Sequence, residues 1–173
     1  VAGSGQARDY LAAFIARHQV KSAIYWSHPL LERLQLSQLL AQAGARAVCW
    51  WPQAPQAPDA ARDAALTAEW GITSVNWAVA ETGTLALGAR AQQGRLVSLL
   101  PPKYLAIVEA AQILPDLFDL FAALEPARHD LPSNLALVTG PSKTGDIELK
   151  LTTGVHGPGE VHLLVIDPEP CLP

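Results

Sequence analysis

Three short stretches of the 173-residue chain hold side chains that can do chemistry: Glu81-Thr82-Gly83-Thr84, residues 140–146 (GPSKTGD) and residues 154–159 (GVHGPG). Each sets polar groups beside glycine, which lets backbone donors approach a ligand with no Cβ in the way. The hydroxyls of Ser142 and Thr144 and the N–H groups around Gly140 suit a small anion, and Asp146 closes that loop. His156 can move a proton, and Glu81 can act as a base or acyl acceptor. Each residue also has a plain structural use. Ser142 or Thr144 can cap a helical turn carrying Asp146 and Glu148, Gly140-Pro141 is a ready turn, and Glu81 can accept N–H groups that hold a bend. The spacing is not that of a nucleotide P-loop, because Lys143 precedes Gly145 and an acid follows.

The elements around these stretches alternate strand and helix. Tyr10, Leu11, Phe14 and Ile15 repeat at helical spacing, so an amphipathic helix opens the chain. Ala23–Trp26 and Ala47–Trp51 are short apolar strands, with a helix from His28-Pro29 to Ala43 between them and Gly44 ending it. The Pro- and Gln-rich run after Trp51 is a loop, followed by an alanine-rich helix from Asp59 to Trp70 with Gly71 at its end. Ala78–Ala80 and Leu85–Leu87 flank the Glu81 bend. Leu96–Leu100 is expected to pair with Leu85–Leu87 as a hairpin, followed by a strand at Tyr104–Val108 and a helix bearing Leu117, Phe118, Phe121 and Leu124. Leu135–Thr139 and Val161–Ile166 are the last strands. This pattern predicts an α/β fold, a Rossmann-like mixed sheet with helices on both faces, whose parallel part contains Ala23–Trp26, Ala47–Trp51, Leu135–Thr139 and Val161–Ile166. The three polar stretches are expected to meet in one cleft at the carboxyl ends of the strands.

Composition narrows the function. Hydrophobic residues make up 50% and charged residues 16%, which sets the chain apart from disordered segments, and no apolar run is long enough to span a membrane. A net charge of −4 with scattered Lys and Arg argues against nucleic acid as a partner. Cys49 and Cys171 are far apart, so neither a disulfide framework nor an iron–sulfur or zinc site is expected, and a reducing cytoplasmic setting follows. His129 sits in a polar loop, and His162, inside a strand, reads as structural. From these spacings we expect no metal and no redox cofactor. The absence of methionine, an initiator included, implies that residues precede Val1 in the full chain.

The motifs AETGTLAL, GPSKTGDIE and GVHGPGEVHLLVID, in that order, resemble the LUD-domain family over about residues 72–167. The family usually has a small residue where Gly145 stands and a variable one at Lys143, so neither position carries weight. The resemblance implies a single domain akin to the sugar-phosphate isomerase and CoA-transferase superfamily. It also implies a role in the oxidation of L-lactate to pyruvate beside iron–sulfur lactate-utilisation proteins. With two cysteines this chain does not supply such a cluster alone, which suggests a ligand-binding or accessory subunit. Two alternatives stay open: a stand-alone isomerase or acyl-transferase using the same pocket, and a scaffold presenting Trp26, Trp50 and Trp51.

Overall fold

Five apolar runs, each flanked by polar or turn residues, form the centre of the molecule. The computed structural model describes residues 1–50, 57–144 and 152–168, with only the backbone described at residues 57–61, 127, 144, 152 and 153. Along the chain, helix α1 (Gly3–Arg17) leads to β1 (Ser22–Trp26), α2 (Pro29–Arg33), α3 (Leu36–Gln42) and β2 (Arg46–Trp50). Next come α4 (Ala57–Thr67), β3 (Trp70–Ser74), β4 (Trp77–Val79), β5 (Thr84–Gly88), α5 (Leu96–Leu99) and β6 (Lys103–Glu109). The remaining elements are β7 (Ile113–Leu114), α6 (Leu117–Leu124), β8 (Leu135–Val138), β9 (Lys143–Thr144), β10 (Thr152–Thr153) and β11 (Glu160–Ile166).

The main sheet is parallel throughout, in the order β11-β6-β3-β1-β2. Tyr104–Val108 of β6 and all of β3 are buried, as expected for strands covered on both faces. A second sheet, β7-β4-β5-β8, is mixed: β5 runs antiparallel to both β4 and β8, while β4 runs parallel to β7. The fold is therefore α/β, as the alternation of elements predicts.

Several details depart from that reading. Leu135–Thr139 does not join the parallel sheet; its strand pairs with β5, with Leu85 opposite Val138 and Gly88 opposite Leu135. Leu96–Leu100 is not a hairpin strand but the short helix α5, which packs Val97 and Ser98 inward against β3. Gly71 belongs to β3 and does not end a helix. A Cβ there would lie 1.9 Å from the Val97 carbonyl oxygen, so only glycine lets α5 come this close. The expected single helix from His28 to Ala43 is broken into α2 and α3 at Gln35, whose φ of 55° is left-handed. The leucine stripe survives the break, with Leu30, Leu31, Leu34, Leu36, Leu39 and Leu40 all buried.

Candidate functional site

The stretch Ala80–Gly83 forms the tip of the β4–β5 hairpin, and Gly83 supplies the left-handed residue at φ 64°. Glu81 is exposed there. Its backbone N–H donates to the Pro115 carbonyl at 3.0 Å, while its carboxylate makes no hydrogen bond among the described residues. It therefore neither lies among apolar strands nor clamps the bend with its side chain. Behind the tip, the hydroxyls of Thr82 and Thr84 lie 2.7 Å apart, and Thr84 lies 2.8 Å from Thr139. This links the hairpin to the end of β8, where Gly140 (φ 75°) turns the chain away.

Beyond that turn, Ser142 is held between two points of the histidine loop. Its N–H donates to the Pro158 carbonyl at 2.8 Å, and its own carbonyl accepts the Gly154 N–H at 2.9 Å. A Cβ on Gly157 would meet Ser142 Cβ at 3.3 Å, so the backbone beside His156 rests directly on Ser142. His156 itself is exposed, and Ser142 Oγ makes no hydrogen bond among the described residues. Lys143 and Thr144 pair as a strand with Thr153 and Thr152, and the helical turn that Ser142 or Thr144 is expected to cap lies outside the described residues. Asp146, Glu148, Trp51 and Cys171 lie outside the described residues, as does Gly145.

The three polar stretches are thus joined hand to hand, Thr82 to Thr84 to Thr139, then Ser142 to Gly154 and Pro158. Their position differs from the carboxyl-end cleft expected. Gly140 does follow the carboxyl end of β8, but the histidine loop precedes β11, and the Gly159 N–H donates to the Pro102 carbonyl just ahead of β6. The cluster therefore sits at the amino edge of the parallel sheet. This arises because β8 belongs to the second sheet and the loop that follows it rests on the loop before β11.

A second group on the same edge escaped the sequence reading. The sequence reads His162 as structural and shows no cluster at ligand spacing, yet His18, Glu160 and His162 gather with their ligand atoms all within 4.8 Å of one another. His162 Nε2 lies 2.6 Å from Glu160 Oε1, and since a carboxylate only accepts, the imidazole is the donor. His18 Nδ1 is 4.0 Å from the same oxygen, and Lys103 Nζ is 4.0 Å from Glu160 Oε2. The rings pack tightly: His18 stacks on Phe14 at 4.2 Å and meets His162 edge-on at 4.9 Å, with Trp70 5.5 Å from His162. Burial and the neighbouring His162 push the His18 pKa below its ordinary value. The His162 hydrogen bond, outweighing an opposing contribution from burial, holds the Glu160 carboxyl below its usual range. Glu160 and His162, two apart on one strand, share a face, which is a signal available from sequence. His18, at the far end of α1, gave none.

Elsewhere, the scaffold reading loses Trp26, which is 1% exposed and donates from Nε1 to the Gly94 carbonyl. Trp50 donates likewise to Ala91 and packs against Gly94. Burial pushes the Cys49 thiol up, away from the thiolate a nucleophile needs. No helix among the described residues is long and apolar enough to cross a membrane.

A parallel five-stranded sheet with a mixed second sheet, and glycine-spaced hydroxyls joined at its amino edge, defines the class of α/β protein. The model of the LUD domain matches residues 1–166, and the chain belongs to the LUD-domain family. Lactate utilization protein C 1 of Bacillus mycoides is 32% identical over 162 residues, covering 92% of this chain and 68% of that protein. Lactate utilization protein C of an Exiguobacterium species is 30% identical over 148 residues, 79% of this chain and 64% of that protein. For the Macrococcus caseolyticus protein of the same name the identity is 41% over 100 residues, but the match spans only 43% of its length. A crystal structure of a DUF162 family protein from Deinococcus radiodurans shares the fold, with a TM-score of 0.51 at 18% identity over 95% of this chain and 98% of that one.

Proposed function

We propose that this chain is a component of L-lactate utilisation, the oxidation of L-lactate to pyruvate. In this reading it supplies a site for a small carboxylate and works beside iron–sulfur partner proteins. The observation that carries the reading is its similarity, over 92% of its length, to a lactate utilization protein C. The loop geometry supports a carboxylate ligand. Ser142 Oγ lacks an internal partner among the described residues, and the exposed His156 stands on the same loop contact. Ser142 and the backbone donors near Gly140, with Thr144 and Asp146 next in sequence, are assigned to the carboxylate end, and His156 to the hydroxyl. Glu81, with Thr82, Gly83 and Thr84, organises the hairpin tip and stays off the anion, since two carboxylates face to face repel.

Calorimetric titration of L-lactate into the purified chain tests this. Saturable one-to-one binding that weakens in Ser142→Ala and His156→Ala is expected. Absence of lactate binding, together with saturable binding of a sugar phosphate or an acyl-CoA and turnover without partners, would instead favour a stand-alone isomerase or acyl-transferase.

A further inference from the structure

We propose that His18 Nδ1, His162 Nε2 and the Glu160 carboxylate form a site for one divalent transition-metal ion of the zinc, nickel or copper class. The site lies on the amino edge of the parallel sheet. It is distinct from the Ser142–His156 loops and does not depend on the lactate reading.

The argument begins with the donor set. Two imidazoles and one carboxylate suit zinc, nickel and copper, whereas magnesium and calcium favour all-oxygen sets. The three donors come from two elements, the end of α1 and alternate residues of β11, and their ligand atoms already lie within 4.8 Å of one another. Ligands on a zinc ion at about 2.0–2.1 Å lie roughly 3.3 Å from one another in tetrahedral geometry. The His162–Glu160 separation of 2.6 Å must therefore open slightly, and the His18–Glu160 separation of 4.0 Å must close by a similar amount. Both are side-chain adjustments. His162 gives up the Nε2 proton it donates to Glu160 and carries its proton on Nδ1 instead, so the ring stays neutral while Nε2 turns its lone pair to the ion.

The surroundings fix which oxygen binds. Lys103 Nζ lies near Oε2 and 5.4 Å from the centre of the Trp70 ring, which leaves Oε1, between the two imidazoles, for the metal. Lys103 and the nearby Arg17 are cations, so they temper the affinity. The ion has an approach path, because a cavity of about 230 Å³ lined by Tyr10, Phe14, Arg17, His18 and His162 opens beside the rings. Three protein ligands leave one position for water. Bound metal would pin the end of α1 to the edge strand β11 and stabilise the fold by mass action.

The test uses chelator-treated, tag-free protein at neutral pH, titrated with Zn²⁺ by calorimetry and with Cu²⁺ or Ni²⁺ by quenching of tryptophan fluorescence, Trp70 being the near reporter. One ion per chain with a Kd of micromolar order or tighter is expected, with a rise in Tm on adding Zn²⁺. His18→Ala, Glu160→Gln and His162→Ala should each weaken binding at least tenfold, whereas His129→Ala, elsewhere on the surface, should not. If His162→Ala does not fold, His18→Gln carries the same expectation, since it changes a residue at a helix end. Absence of saturable binding, or binding that survives both His18→Ala and Glu160→Gln, overturns the proposal.

Discussion

The carboxyl ends of β1, β3 and β6 lead into His28, Asn76 and Glu109, while the amino ends of β6 and β11 carry Lys103, Glu160 and His162. In the first group the fold itself consumes the polar atoms. His28 Nδ1 accepts the Leu30 N–H at the start of α2, Asn76 Oδ1 accepts the Gly88 N–H, and Glu109 pairs with Arg33. Gln112 completes a capping box with Glu109 and donates to the Val75 carbonyl. At the amino edge, by contrast, Ser142 Oγ and the exposed His156 make no side-chain hydrogen bond among the described residues, and His18 and His162 share one carboxylate. The strand order puts the topological switch between β1 and β3, where open α/β sheets usually bind ligands at their carboxyl ends. Here His28, Asn76 and Glu109 at that end are engaged in bonds within the fold, whereas Ser142 Oγ and His156 at the other edge make no side-chain hydrogen bond among the described residues.

The most forceful way to break this comparison is Trp26→Ala at the carboxyl edge. A buried tryptophan and its bond to Gly94 are lost, and stability should fall by about 3–5 kcal/mol in urea unfolding. Asn76→Ala should cost roughly 1–3 kcal/mol by stranding the Gly88 N–H, with lactate affinity unchanged by calorimetry. A loss of affinity there would mean the carboxyl edge holds ligand after all. At the amino edge the pattern should invert: Ser142→Ala should weaken ligand binding by about 1–3 kcal/mol, while its unfolding midpoint stays near that of the parent.

The smallest effect concerns pH. Burial lowers the His28 pKa below its ordinary value of 6.5, Glu109 and Glu32 partly oppose this, and Arg33 reinforces it. The unfolded chain therefore takes up the proton first. Stability is whole above pH 6.5 and declines as the pH falls through the lower folded value. Protonated Nδ1 cannot accept from Leu30, so His28→Asn, which keeps an acceptor, should flatten this part of a Tm-against-pH curve.

Much of the frame was legible because β1, β2, β6 and β11 are short, apolar and bounded by turn residues, and their limits fall within a residue or two of those expected. Leu96–Leu100 misled because a brief apolar run has no period to separate a strand from a helical turn, and the deciding fact, Gly71 beneath Val97, lies elsewhere in the chain. Leu135–Val138 was legible as a strand but not as a member of the second sheet, since partner choice leaves no mark in a run of four residues. The loop motifs were legible by resemblance. Their edge of the sheet was not, because it depends on β8 joining the second sheet. His18 could be linked to His162 only by the packing of α1 on β11.

The hydroxyl row Thr82, Thr84 and Thr139 has a further consequence. Each link can run in either direction, and the middle hydroxyl is buried while both ends reach solvent. With one donor proton per hydroxyl, the row has two polarities and few ways to mix them. If Thr82 donates inward, the Thr139 proton points onward beside Gly140, ready for an acceptor. If Thr139 donates inward, the free proton appears instead at the hairpin tip beside Glu81. An anion accepting from Thr139 would favour the first polarity and turn the free proton away from the tip.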